Sequence, residues 1–353
     1  MYPSEGRTPQ MKITILGAGG FIGSNLVDYL IREGQHEIVG ADVSAEKLEG
    51  IAGPSFDFVS VDISRSPQVA DDLIADCDVV VDLVAYANPS IYVEAPLEVI
   101  QLNFFENLRI AELCIKHHKR LIQYSTSEVY GKNPREDTFS EATSDLILGP
   151  IVKHRWVYAA AKQLLERMIH GYGLKGDLDY TIVRPFNFVG PRFDYLVPAG
   201  SKGGPRVFAH FMSALLTGGP MYLVDGGEQR RSFTHIQDAS RAFTTLLESR
   251  DAHNEIFNIG NPKTDTSVRE LAILMRTIYA DLAGVTPQNE LVEISGEEFY
   301  GQGYEDTNRV PPDISKLEAL GWTPQLDLEQ TFRDAIEFNL NSKNRTTTMG
   351  GAR

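Results

Sequence analysis

The chain has 353 residues, 42% of them hydrophobic, enough to bury a full core in one large domain or two intimately joined ones. A formal charge of −15 argues against a nucleic acid or an anionic membrane as partner, because phosphate binding needs a net basic face. Cys77 and Cys114 read as reduced core thiols, the eight His show no metal-ligand spacing, and no apolar run reaches the ~20 residues of a membrane span. The expectation is a soluble cytoplasmic protein without metal. Residues 1–10 and 342–353 have no apolar periodicity and read as disordered tails.

Short apolar runs alternate with amphipathic stretches through the first half. Strands are predicted at 12–17, 37–42, 56–62, 78–85, 120–126 and 180–185, and their near-continuous apolar content suits a parallel sheet buried on both faces. Crossover helices are predicted at 24–33 and 103–118, giving a doubly wound α/β domain of Rossmann type. After Pro185 the alternation fades into Gly/Pro-rich loops, where a smaller C-terminal α/β lobe would be built. The domain division is then 11–186 plus part of 232–260 for a dinucleotide-binding domain, and 187–231 with 261–341 for a substrate lobe.

The first strand runs into Gly17-Ala18-Gly19-Gly20-Phe21-Ile22-Gly23 and then a helix, the context in which a Gly-rich motif cradles a pyrophosphate at a helix N-terminus. Asp42, closing the second strand, is placed to accept hydrogen bonds from an adenosine ribose and to repel a 2′-phosphate, which favours NAD over NADP. Asp62 with Ile63 could meet the adenine edge, and a turn role for Asp62 stays open. Tyr158 and Lys162 stand four apart in a helical stretch, so they share a face, and a neighbouring ammonium would lower the phenol pKa from its ordinary ~10. That spacing gains force from Tyr124-Ser125-Thr126-Ser127-Glu128, at a strand end where an open α/β sheet binds its ligands. Thr126 or Ser127 could hydrogen-bond the hydroxyl that Tyr158 deprotonates.

With Thr126 to Gly131, Arg155-Trp156-x-Tyr158-x-x-x-Lys162-Gln163, Arg184-Pro185-Phe186-Asn187, Gly190-Pro191-Arg192, Asp225-Gly226-Gly227 and Tyr300-Gly301-x-Gly303-Tyr304, residues 11–340 resemble a known family. It is that of the extended short-chain dehydrogenase/reductases acting on nucleotide sugars, and the resemblance is greatest to the UDP-glucuronate decarboxylase branch. It implies that Tyr158, with Lys162 and Thr126 or Ser127, removes the C4 hydroxyl proton while hydride passes to NAD. Glu128 would then take part in proton transfer near C5, and Arg309 would assist carboxylate loss or reprotonation. Gly17, Gly20, Phe21, Ile22, Gly23, Asp42, Asp62, Ile63, Tyr158 and Lys162 would hold NAD. Ala87, Tyr92, Thr126, Ser127, Arg155, Asn187, Arg192, Tyr222, Arg231 and Tyr304 would hold UDP-glucuronate. The resemblance also implies a homodimer.

Two departures qualify it. Apiose-forming members carry Cys where this chain has Ala87 and Ser127, which argues against ring contraction, and the segment from Tyr304 to Arg309 is one residue shorter than its counterpart. A UDP-glucuronate 4-epimerase shares the same Tyr-Lys pair and is the main alternative. A 4,6-dehydratase would carry Asp-Glu in place of Ser127-Glu128, and a non-catalytic NAD-binding regulator would need no Tyr-Lys pair.

Overall fold

The computed structural model describes residues 10–134, 137–193, 196–198, 206–300 and 310–341. Both predicted tails, apart from Gln10, and the predicted site residues Tyr304 and Arg309 lie outside the described residues. The first domain unfolds as β1 (Lys12–Leu16), α1 (Phe21–Glu33), β2 (Glu37–Asp42), β3 (Phe56–Ser60), α2 (Pro67–Ala75), β4 (Val79–Asp82), α3 (Pro89–Glu94), α4 (Pro96–Ile100), α5 (Asn107–His117), β5 (Arg120–Tyr124), α6 (Val157–Lys175) and β6 (Tyr180–Pro185). There follow β7 (Phe188–Val189), α7 (Val207–Thr217), β8 (Met221–Val224), β9 (Arg230–Arg231), β10 (Thr234–His235), α8 (Ile236–Glu248), β11 (Glu255–Ile259), β12 (Thr266–Ser267), α9 (Val268–Ala283), β13 (Leu291–Ile294), α10 (Gly296–Tyr300), α11 (Ser315–Glu318) and α12 (Leu328–Leu340).

Seven parallel strands form the main sheet in the order β11-β6-β5-β4-β1-β2-β3. The order reverses between β1 and β4, which opens a crevice beyond their C-terminal ends, where ligands of such sheets bind. One face packs under α1 and α8 through Leu26, Leu30, Phe243 and Leu246, and the other under α2, α5 and α6 through Ile74, Ile110, Leu165 and Ile169. Both Cys77 and Cys114 are buried free thiols in the second of these cores. The second lobe has its own core, where Phe208, Phe211 and Met212 of α7 meet Met275 of α9 and Phe332 of α12.

The predicted strands all form, most of them shorter by one to three residues at an end. The seventh, β11, was not singled out from the sequence, because residues 188–235, most of them building the other lobe, interrupt the crossover from β6 to β11. Ile314, Leu317 and Trp322, which the division by sequence gave to the substrate lobe, pack instead into the core beneath α8. The predicted helix at 103–118 is α5, preceded by a π-helical stretch over Gln101–Glu106. That wider turn sets Asn103 and Asn107 inward, both fully buried, with their amides bonded to the backbone of Tyr86 and Val84. π-Turns of this kind recur where a helix serves a site.

Candidate active site

β1 ends at the glycine turn, and α1 begins at Phe21 with its first N–H groups directed toward the crevice. At Gly19 a Cβ would run into the Ser44 carbonyl oxygen, and at Gly23 into the Gly17 carbonyl oxygen, so the loop closes only with bare backbone. Asp42 pins it. Its carboxylate accepts from the Gly19 N–H at 2.9 Å and the Ser44 N–H at 3.1 Å. Burial pushes the Asp42 carboxyl up, while the backbone N–H groups of Ser44, Gly19, Val43 and Gly20 draw it down. An acceptor fixed beside a phosphate cradle of bare backbone fits an adenosine ribose and the pyrophosphate attached to it.

Asp62 and Ile63 follow directly on β3 and the residue after it. The Asp62 carboxylate closes its own turn, accepting from the Ser64 N–H and hydroxyl at 3.0 and 2.6 Å, and Ile63 is buried under α2 and α5. An Asp followed two residues on by Ser folds back on its own backbone, so the turn role left open for Asp62 is the one the structure displays.

A cleft of about 820 Å³ runs from the glycine loop to the second lobe. Gly17, Gly20, Phe21, Ile22 and Gly23 line one end, and Thr126, Ser127, Glu128, Arg155 and Tyr158 its middle. Ala87 and Tyr92 approach from the segment after β4, and Asn187, Tyr222 and Arg231 from the second lobe. The sequence therefore named residues that the fold gathers from seven separate stretches of chain. Thr126 caps the short turn after β5, its hydroxyl accepting from the Glu128 N–H at 3.1 Å. The Glu128 carboxylate pairs with the Arg155 guanidinium at 3.2 Å, and Arg155 lies over the Trp156 ring at 4.8 Å. Asn187 holds a left-handed backbone (φ 41°) while its amide donates to the Ser232 carbonyl at 2.8 Å.

Tyr158 is buried to 5% exposure and stacks on Tyr92, centroids 4.8 Å apart and planes 10° from parallel. Burial and the Glu128 carboxylate push its phenol well above its usual value, with Arg206 and the Thr126 hydroxyl opposing. Lys162, one turn on, does not spend its protons on the phenol. It is 1% exposed and donates to the Asn107 side-chain oxygen at 3.2 Å and the Tyr124 carbonyl at 3.1 Å. The phenol-lowering effect expected of Lys162 from spacing is thus outweighed in the bare protein by loss of solvent around Tyr158.

Arg192 departs from its predicted place. In a left-handed turn (φ 64°), its guanidinium reaches Asn25 at 3.1 Å and Asp28 at 3.0 Å on α1, away from the cleft wall. Sequence reasoning missed Arg206, the residue before α7, which lines the cleft, acts on Tyr158 and lies over Phe193 at 4.9 Å. Its one signal was an arginine directly preceding an apolar helix. Ser125 was missed too: it lines the cleft, and its buried hydroxyl has no hydrogen-bond partner among the described residues. No cluster of metal-binding side chains occurs among the described residues, and none of their helices is long and apolar enough to cross a membrane.

Residues 13–260 match the NAD dependent epimerase/dehydratase family. The chain is 37% identical to a UDP-D-apiose/UDP-D-xylose synthase of Oryza sativa subsp. japonica over 95% of this chain and 90% of that one. Among solved structures it superposes on the PbgP3 protein of Burkholderia pseudomallei with a TM-score of 0.85 and 35% identity, covering 97% of this chain and 99% of the other. A UDP-glucuronic acid 4-epimerase from Bacillus cereus, solved with UDP-glucuronic acid and NAD, has the same fold (TM-score 0.74, 23% identity, 93% and 98% covered). By its glycine loop, its cleft and these matches, the chain belongs to the NAD dependent epimerase/dehydratase family, an enzyme that uses NAD.

Proposed function

We propose that the protein oxidises UDP-glucuronic acid at C4 and then releases its carboxylate as carbon dioxide, giving a UDP-4-keto-pentose or, after re-reduction, UDP-xylose. The observation that carries this reading is the Glu128 carboxylate, paired with Arg155 and set in the same cleft wall as Thr126 and Tyr158. An alcohol oxidation alone needs a proton acceptor at one oxygen. A carboxyl group beside that acceptor serves a proton transfer at carbon. The rice relative is named for making two UDP-pentoses, which agrees with loss of one carbon.

NAD, when bound, accepts the hydride from C4. Tyr158 takes the C4 hydroxyl proton, and Thr126 or Ser127 steadies the same oxygen. The resulting ketone lies beta to the C6 carboxylate, so the electrons of the breaking C–C bond pass to the ketone oxygen as carbon dioxide leaves. The enolate so formed gains a proton at C5, which Glu128 relays from solvent, and the C4 ketone is restored. Arg155, Arg206 and Arg231 supply the positive charge that a chain of net charge −15 must place locally to hold an anionic sugar nucleotide. Ala87, Tyr92, Asn187 and Tyr222 complete the wall around it. Arg309, assigned by resemblance to carboxylate loss, and Tyr304, assigned to the substrate, keep those roles in this proposal. Ala87 and Ser127, in place of the cysteines of apiose-forming members, speak for a product with its ring intact.

The test is incubation of purified protein with UDP-glucuronate and NAD, following carbon dioxide, NADH and the sugar. Carbon dioxide with stoichiometric NADH means a keto-pentose is released; carbon dioxide without net NADH means UDP-xylose. UDP-galacturonate without carbon dioxide would overturn the proposal in favour of 4-epimerisation.

We propose further that two chains pair through α3, α4 and α6. Val93, Leu97, Phe105 and Leu164 expose 51, 76, 53 and 47% of their surface on this stretch and the neighbouring π-turn. Light scattering should give a mass near twice 39.2 kDa, and Leu97→Glu with Phe105→Glu should halve it. A monomeric parent would end the idea.

A further inference from the structure

A buried carboxylate lies outside the lining of the cleft. Asp82 is the last residue of β4, opposite Leu16 of β1 and Gln123 of β5, and it is fully buried. One carboxylate oxygen accepts the Val84 N–H at 3.0 Å; the other has no partner among the described residues. The side-chain oxygen of its neighbour Gln123 is likewise unpartnered. A carboxylate sealed in this way costs stability unless a charge answers it.

The answering charge is Lys162. Burial pulls the Lys162 ammonium down and Asp82 is the foremost group holding it up, while burial pushes the Asp82 carboxyl up and Lys162 is the foremost group drawing it down. Of the other ionisable groups around the pair, Glu166 also holds Lys162 up, less than Asp82 does. The Glu166 carboxylate, on α6, in turn accepts from the Nε and Nη2 of Arg184 from β6, at 3.1 and 2.6 Å. The Cys114 thiol of α5 and the Tyr124 phenol of β5 are both pushed up by burial and stay neutral. Asn107, set inward at the end of the π-turn, accepts from Lys162 and anchors its own amide on Val84, the residue whose N–H Asp82 holds.

We infer that Asp82 is a positioning residue for the Tyr158–Lys162 pair: from the closed side of the cleft, its charge, with the Asn107 brace, keeps Lys162, one helical turn from Tyr158, an ammonium. The inference rests on the reading of Tyr158 and Lys162 as the proton-handling pair, but on no particular sugar. Without Asp82 the buried Lys162 loses its proton at lower pH. The positive charge one turn from Tyr158 then vanishes earlier on the alkaline side, and hydroxyl deprotonation weakens there.

The test is the titration of Lys162 itself. In protein carrying carbon-13 at the lysine Cε, the Lys162 signal is the one absent from Lys162→Arg. In Asp82→Asn, which keeps the shape of the side chain, the midpoint of that signal should fall by about one pH unit. The alkaline limb of NADH formation should move by the same amount. A merely structural Asp82 would change the melting temperature and leave the midpoint in place, and that result in a folded variant overturns the inference. Should Asp82→Asn fail to fold, the parent decides. Its Lys162 signal should show a second, smaller inflection on the acid side as Asp82 takes up a proton, and a single inflection overturns the inference. Because the resonance is read without sugar, a parent that leaves UDP-glucuronate untouched while Lys162 responds to Asp82 refutes the substrate alone.

Discussion

Tyr158→Phe lowers the rate of NADH formation by roughly a thousandfold and leaves NAD affinity nearly unchanged. The substitution removes one oxygen and nothing else: the ring keeps its place between helix and cleft, stacked on Tyr92 at 4.8 Å. NAD affinity should survive because the glycine loop, pinned by Asp42, is untouched by the substitution and the Phe ring keeps the shape of the Tyr158 ring. The parent has a further signature. Burial and Glu128 hold the Tyr158 phenol above its usual value, so at neutral pH most of it carries its proton. The base is the deprotonated form, and the parent rate therefore climbs with pH until Lys162 gives up its own proton. Stopped-flow absorbance of reduced nicotinamide across pH reads both effects. A Phe variant that oxidises substrate near the parental rate removes Tyr158 from the base role, and a parental rate that falls with pH through the neutral range removes the phenolate.

The nucleotide-binding half was legible in the sequence because each physical demand there is local. A parallel strand buried on both faces must be apolar along its length, and KITIL, EIVGAD and RLIQY are nearly so. A phosphate loop must be glycine where backbone meets backbone, as at Gly23 against Gly17. What escaped was set by distant parts of the chain. Strand β11 joins the sheet only after the residues of the inserted lobe, so no local alternation announces it. Arg206 borders a Gly/Pro-rich stretch without periodicity, and only the packing of α7 brings it to the cleft. Arg192 was misplaced for the opposite reason. Its motif suggested the cleft, but the left-handed backbone sends the side chain toward Asp28. The environment of Lys162 needed Asp82, Asn107 and Tyr124 from three other elements, and spacing along one helix carries no information about them.

Glu128→Gln separates the two halves of the reaction. Oxidation at C4 depends on Tyr158 and Thr126, whose positions rest on Tyr92 stacking and on a backbone N–H that the variant retains. NADH formation should therefore persist within about tenfold of the parent, while steps that need proton transfer at carbon fall by roughly a hundredfold or more. The glutamine amide still donates or accepts hydrogen bonds but cannot exchange a proton at neutral pH. Its loss of charge also weakens the 3.2 Å contact with Arg155, and it withdraws the negative charge that raises Tyr158. The phenol should then deprotonate at lower pH, so the rise of the oxidation rate with pH begins earlier in the variant than in the parent. Quenched-flow measurement of NADH and of the UDP-pentose product in the same samples distinguishes the cases. Oxidation that runs ahead of product formation places Glu128 after hydride transfer. Equal loss of both places it in substrate binding or in the oxidation itself, and parental rates for both remove it from the chemistry.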